Sequence, residues 1–435
     1  MAYNDAPPRV PRSQPGPQAR APYRSPARHQ PRRRLPVYVY WRRRALVVLG
    51  AITLVMVSYY GVTLGLALGN PSYGVSLQAR FAEWGRQHGF GTIITWAETE
   101  YNKLNPAKVG GKPSTSQIGR GTVNVTVTGS QPLPPPTKLI TPAAVPFAGE
   151  GVWKPAGRLT ANGIPAVYET FIRPDAIHTS YIVGVAWMDP KILSAQLYSG
   201  SQIPGGGPYP YSAPITPSAS KSMVAVFNAG FRMQDANGGY YTNNKMVIPL
   251  RPGAASAIIY KNGTMSVGEW GRDFHMSPNV ASVRQNLSLI VDGGKAVPGL
   301  SNPNAIAWGK TLGGTFNVWR SGLGVTADGA LVYVGGPALS ISDLADTLVR
   351  AGAVRAMQLD INTDWVEYST VTGPLGQPVT GANATNLLTG MIGNPGRFFA
   401  NWWTRDFFVM SMRPKYMSAS TASSTSSTAT TGATG

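Results

Sequence analysis

Hydrophobic and polar positions divide this chain into stretches of different character. Ala45–Leu68 reads ALVVLGAITLVMVSYYGVTLGLAL, 24 residues without a charge. A helix of that length spans a hydrocarbon core of about 30 Å. A cleaved signal peptide would carry a shorter apolar run and would not normally follow 44 residues. Residues 45–68 are therefore expected to be a retained transmembrane helix. Arg42–Arg44 abut it and are expected to hold the N-terminus in the cytoplasm, with everything after residue 70 on the other side. Residues 69–106 read as two juxtamembrane amphipathic helices, with Val75, Leu77, Phe81 and Trp84 able to share a face. They are expected to lie on the bilayer, to pack on the following domain, or to form a solvated stalk. Residues 107–148 are rich in Pro, Gly, Ser and Thr and include QPLPPPTK. They are expected to act as an extended linker that lifts the domain off the membrane. The stretch 414–435 is expected to be a disordered Ser/Thr-rich tail, and 1–44 a disordered basic one.

Between 149 and 413 the apolar runs are short and mostly alternate with polar positions. The segments 166–174 (AVYETFIRP) and 180–189 (SYIVGVAWMD) read as paired strands, and Ser222–Asn228 as a buried one. Asn262-Gly263, Asp292-Gly293 and Asp328-Gly329 each sit between apolar runs and mark three hairpins. A helix is expected from Ile341 to Gly352. Ser342 would cap it, Leu344, Leu348 and Val349 would form its apolar face, and Gly352 would end it. The run Val354–Leu359 then leads as a buried strand into Asp360. The predicted fold is α+β: a mixed, mostly antiparallel sheet with few helices, preceded by one transmembrane helix.

Composition narrows the chemistry. The chain has 435 residues, no cysteine and four histidines, none at a metal-ligand spacing. Thiolate chemistry is excluded, and a structural zinc site finds no ligand set. The net charge is +19, but residues 1–44 hold eleven arginines against one acid. Much of the basicity is thus a property of the tail, and specific nucleic-acid binding is not expected of the folded part. There is no GxxxxGK[ST] loop, no GxSxG elbow and no GxGxxG entering a helix.

The domain has only fifteen acids. Asp292 and Asp328 belong to hairpin turns, and Asp343 and Asp346 to the first turn of the helix. Asp360 stands out because it ends an apolar strand, where a carboxylate is costly unless it faces a polar cleft or an arginine. The residues alone leave a functional carboxylate and a buried ion pair equally open. Arg320 enters a strand in VWRSGLG, and its fork suits a carboxylate or phosphate. Arg284 poses the same question. Asn228 ends a buried run as a turn residue or a ligand. Glu269 in GEWGRD is a possible second carboxylate. Asp364 stands four residues after Asp360, too few ligands to claim a divalent cation, so no cofactor is assigned.

The ordered runs FNAGFRM…GGYY, PLRPGAAS, RSGLGVTADGALVYV and MQLDIN resemble the phosphodiester glycosidase family, whose members include enzymes that remove N-acetylglucosamine from a phosphodiester. The resemblance covers about 150–412. The Arg-rich tail, single span and WAETEYNKLNPAKVGG segment resemble its membrane-anchored actinobacterial branch. It implies a hydrolase acting on a sugar-1-phosphodiester in envelope or exopolysaccharide glycans. Asp360 would be base or nucleophile, Glu269 the second carboxylate if one is needed, and Arg320 the phosphate holder. Asn228 and Asn362 would bond sugar hydroxyls, and Trp365 would be a sugar-stacking surface or core. The wider family carries LDGGGS where this chain has Leu359-Asp360-Ile361-Asn362-Thr363-Asp364. That departure favours the alternative of a non-catalytic glycan-binding envelope module; a transglycosylase is a third reading.

Overall fold

The computed structural model describes residues 36–125, 130–302, 308–309, 316–391 and 395–418. The basic tail before residue 36 and the terminal stretch from 419 lie outside them. The chain divides into two compact units after Gly61. Helix α1 (Val37–Gly69) is long and apolar enough to cross a membrane. It begins eight residues before the expected span and so carries Arg42–Arg44 on its own first turns. Nothing between them breaks a helix; Pro36, which tolerates a helix start but not an interior, lies just outside.

The second unit begins at Val62, within α1, and continues with α2 (Leu77–Gln87) and α3 (Gly91–Leu104). Then come β1 (Lys154–Leu159), β2 (Pro165–Ile172), β3 (Val183–Met188), β4 (Leu193–Tyr198), the short α4 (Pro217–Ser220) and β5 (Met223–Asn228). After α5 (Met233–Ala236) follow β6 (Tyr240–Thr242), β7 (Lys245–Ile248), β8 (Ala255–Tyr260), β9 (Met265–Glu269), β10 (Val280–Gln285), β11 (Leu289–Asp292) and β12 (Lys295–Ala296). The remainder is β13 (Val318–Thr326), β14 (Leu331–Leu339), α6 (Ile341–Arg350), β15 (Ala353–Ile361), β16 (Tyr368–Val371), β17 (Ala384–Asn386) and β18 (Phe407–Met412). The fold is α+β. An eight-stranded sheet runs β1-β2-β3-β14-β13-β15-β11-β12, and two five-stranded sheets run β7-β6-β10-β8-β9 and β17-β16-β5-β18-β4. All three expected turn signals close hairpins: β8–β9, β11–β12 and β13–β14.

The large sheet is covered on both faces, which explains strands that are buried throughout. Along β14, Leu331 and Tyr333 enter one core with residues of the two smaller sheets, while Val332 and Val334 enter another with α6. Successive side chains point to opposite faces, so each face collects every second residue. Helix α6 seals the second core with Ile341, Leu344 and Leu348, each contributing about 1.5–3 kcal/mol by burial. Its cap is Ser340 rather than Ser342. Ser340 accepts from the Asp343 N–H at 3.1 Å, and the Asp343 carboxylate accepts from the Ser340 N–H at 2.9 Å. Ser342 falls inside the first turn, where no such reciprocal pair is available.

One expectation changes. The stretch read as a free linker runs along the domain: the Gly119 N–H donates to Leu387 O at 3.0 Å, and the Leu139 N–H to Gly151 O at 3.0 Å. Leu133 and Leu139 are buried in the α6-side core, and an extended proline-rich chain that buries leucines is a strap, not a spacer. In the juxtamembrane pair Leu77, Phe81 and Trp84 share one side of α2: the Phe81 and Trp84 rings lie 6.0 Å apart, and Trp84 is buried and stacks on Phe90 while Leu77 and Phe81 stay exposed.

Candidate functional site

Strand β15 brings Asp360 to the place where the three sheets meet. Strict alternation would put it with Ala356 and Gln358, on the α6 side. The pairing with β13 slips first: Arg320 faces Ile361 while Gly322 faces Gln358, so β15 carries one extra residue. Such a bulge re-aims the side chain next to it. Asp360 thereby joins the other core, near Tyr333.

A hydrogen-bonded chain fixes its backbone. The Tyr333 hydroxyl donates to Asn228 Oδ1 at 3.0 Å, the Asn228 amide to Ser321 Oγ at 3.1 Å, and Ser321 Oγ accepts from the Asp360 N–H at 3.2 Å. The Glu367 N–H also reaches Asn228 Oδ1, at 3.3 Å. Asn228 is thus a connector between sheets, its carbonyl oxygen and one amide proton already spent, rather than a residue poised for sugar hydroxyls.

Asp360 is 4% exposed. Burial pushes its carboxyl up to about 7; the positive fields of Arg405, Arg284 and Arg232 and the Ile361 N–H, 2.8 Å from Oδ1, pull the other way. Burial disfavours the ionised carboxylate, while nearby guanidinium groups favour it. A group balanced in this way changes protonation around neutral pH.

The arginines differ in how far they are committed. Arg284 and Asp406 form an ion pair at 2.6 Å, neither exposed at all, and Arg284 also donates to Gln285 O and Phe231 O. Arg397 is paired with Glu367, donates to Asp364 O at 2.7 Å and lies 4.3 Å over the Trp403 ring. Burial pulls its guanidinium down to about 9, still protonated at neutral pH. Arg232 is held by Asp235 at 2.7 Å. Arg405 lies 4.1 Å over the Trp365 ring. Trp365 is itself buried against Trp403, so its face supports an arginine and is not open for sugar stacking.

Two expected members lie elsewhere. Arg320 is fully buried and donates to Leu339 O at 2.8 Å, Gln358 Oε1 at 3.2 Å and Phe316 O at 3.3 Å. Its fork binds the chain's own acceptors, which removes the reason to give it a phosphate. Glu269 faces Arg272 at 3.5 Å in a surface cluster with Asp273, Asp292 and Arg355. Arg355 is five residues from Asp360 on the same strand, roughly 16 Å away. Asn362, at φ 98°, uses its Oδ1 to accept from the Asp364 N–H at 3.1 Å. That is a turn role, in a conformation an amide side chain tolerates better than most. The sequence reading missed Arg405 and Arg397. The available signal was WWTRDFFVM, an Arg-Asp pair beside an apolar strand, the same pattern that singled out Asp360.

Segment 70–87 covers the site. The Ser76 N–H donates to Asp364 Oδ1 at 3.3 Å, the Thr404 hydroxyl donates to Ser72 O at 3.1 Å, and Glu83 reaches Arg232 at 3.1 Å. A cleft of about 230 Å³ opens elsewhere, between the end of α3 and Phe316–Val318, with His178 on its wall. It contains no group from the Asp360 cluster. Among the described residues no three of His, Asp or Glu converge as a metal site.

The arrangement defines a three-sheet α+β domain in which the buried Asp360 carboxyl lies in a field of arginines. No model of a known protein family matches the chain, and no curated protein does. Solved structures match it distantly. One is the catalytic domain of zebrafish N-acetylglucosamine-1-phosphodiester alpha-N-acetylglucosaminidase, auto-inhibited by its pro-peptide: 14% identity over 59% of this chain and 87% of that one, TM-score 0.38. A hypothetical protein from Synechocystis matches at 13% identity over 58% and 63%, TM-score 0.32. An exported protein from Burkholderia pseudomallei matches at 14% identity over 48% and 74%, TM-score 0.27.

Proposed function

We propose that the chain is a membrane-anchored extracytoplasmic hydrolase that cleaves the glycosidic bond of a sugar-1-phosphodiester in an envelope glycan. The supporting observation is Asp360, a carboxyl buried at a bulged strand end, balanced near neutrality and surrounded by guanidinium groups. A sugar-1-phosphodiester loses a phosphate monoester, already a stable anion, so little help from a general acid is needed. The reaction needs cationic groups for the phosphate and one carboxylate facing the developing oxocarbenium ion or activating water. Asp360 is given that carboxylate role. The Tyr333–Asn228–Ser321 chain positions it, and no second carboxylate is required.

A binding module is the second reading. It is favoured by Ile361, which fills a small apolar cluster with Phe231, Ala236 and Leu287 where the family motif has glycine. The full chain in detergent is incubated with synthetic sugar-1-phosphodiesters while free sugar and transfer products are followed. Release of sugar that falls at least a hundredfold in Asp360→Asn supports the hydrolase. Binding without release supports the module, and transfer to a second glycan supports a transglycosylase.

A further inference from the structure

Arg405 is a buried cation stacked on a ring. It is 7% exposed, and among the described residues its guanidinium makes no hydrogen bond. Its nearest anion is Glu83 Oε2, at 3.9 Å. The other oxygen of the same carboxylate accepts from Arg232 Nη1 at 3.1 Å. Two arginines from distant parts of the domain therefore converge on one carboxylate, and that carboxylate belongs to α2. A buried guanidinium held only by ring stacking and a long ion pair keeps much of its desolvation cost. Its planar fork is shaped for two acceptor oxygens at once. Glu83 has two oxygens, one already taken by Arg232, so it fills the place incompletely. A tetrahedral phosphate would present acceptors to both forks.

We propose that Arg232 and Arg405 form a phosphate subsite beside Asp360, and that Glu83 occupies it as an internal stand-in which a phosphate ligand displaces. The assignment of the phosphate to a substrate rests on the function proposed above; the subsite itself does not. Charge supports a monoanionic diester. Arg284, Arg397 and Arg232 are paired with Asp406, Glu367 and Asp235, and Arg405 faces Glu83, with Asp360 also acting on it. Exchanging one carboxylate for one phosphodiester keeps that balance. The exchange also lifts α2 from the roof of the site, so ligand entry and opening are one event.

The test is inorganic phosphate titrated calorimetrically into the full chain in a maltoside detergent, which brings no phosphate of its own. Glu83→Gln should bind phosphate about tenfold more tightly than the unaltered chain, because the competitor is gone. Glu83→Asp should stay close to the unaltered chain. Arg232→Gln in the Glu83→Gln background should lose the gain; Arg232 is the less buried arginine, and a melting curve confirms that this variant is folded. Equal or weaker phosphate binding by Glu83→Gln overturns the subsite, as does a gain that survives loss of Arg232. Sugar release is measured on the same samples. Turnover with no dependence of phosphate binding on Glu83 sinks the subsite alone, while Glu83-dependent phosphate binding without turnover sinks the hydrolase alone.

Discussion

Replacing Asp360 by Asn should make the protein more stable while abolishing its proposed activity, and the gain should depend on pH. The carboxyl is raised from 3.8 to about 7 by burial. Its folded value lies above its unfolded one, so the native state holds the proton more tightly. Stability from this group is fully present below about pH 4. It declines as pH rises towards 7 and is constant above that. Three units at about 1.4 kcal/mol each set an upper bound of about 4 kcal/mol. The real figure is smaller, because an amide at this position would bond the Ile361 N–H less strongly than a carboxylate does. An advantage of about 1–3 kcal/mol for the variant at pH 8, shrinking towards zero at pH 4, is the expectation. The assay is urea unfolding of the full chain in detergent at pH 4, 6 and 8, with sugar release measured in parallel. A difference that stays flat with pH, or that grows towards acid, would refute the picture of a carboxyl held against its burial. A variant stabilised as expected but still active would leave the electrostatics standing and remove Asp360 from the chemistry.

Glu169 supplies the matched control. Burial also raises it to about 7, opposed only by the Thr370 hydroxyl, and it lies outside the site. Glu169→Gln should gain stability at pH 8 and not at pH 4, with sugar release unchanged. Arg284→Met or Asp406→Asn alone should cost about 3–5 kcal/mol in urea unfolding, since each leaves an unpaired buried charge, and removing both should cost less. Ser340→Ala should lower stability by about 1 kcal/mol through loss of the α6 cap, while Ser342→Ala should change it far less.

What the sequence made legible is local. Asn262-Gly263, Asp292-Gly293 and Asp328-Gly329 need a positive φ at glycine, which Gly263, Gly293 and Gly329 adopt at 78°, 57° and 91°. The α6 pattern repeats within ten residues. Asp360 was visible because an acid at the end of MQL is an anomaly wherever the strand goes. The partners were not visible, because they depend on which backbone groups the sheets leave unpaired. Arg320 and Arg405 look alike as sequence, each an arginine close to tryptophan at the edge of an apolar run. Arg320 lands beside the free carbonyls of Leu339 and Phe316 and is consumed. Arg405 lands on the Trp365 ring and, among the described residues, donates to no carbonyl.

The direction in which Asp360 points was equally hidden, and it decides the site. Alternation along β15 puts Asp360 under α6 beside Leu344, Leu348 and Ala356, on the face where Arg320 is already held by Gln358 and Leu339 O. A carboxylate there would compete with the acceptors that already hold the Arg320 guanidinium. The extra residue in β15 turns it to the other face, where the ends of β5 and β10 and the start of β18 supply Asn228, Arg284 and Asp406. One inserted backbone unit thus moves the carboxyl away from the committed Arg320 to the face where Arg405, Arg284 and Arg232 act on it. Removing one residue between Gln358 and Ile361 should therefore abolish the site while leaving the β13–β15 ladder up to Gln358 intact. Hydrogen exchange would show this as protection retained at Val354–Gln358 and lost around Asp360. Loss of protection along the whole strand would mean instead that the bulge is needed for the sheet itself.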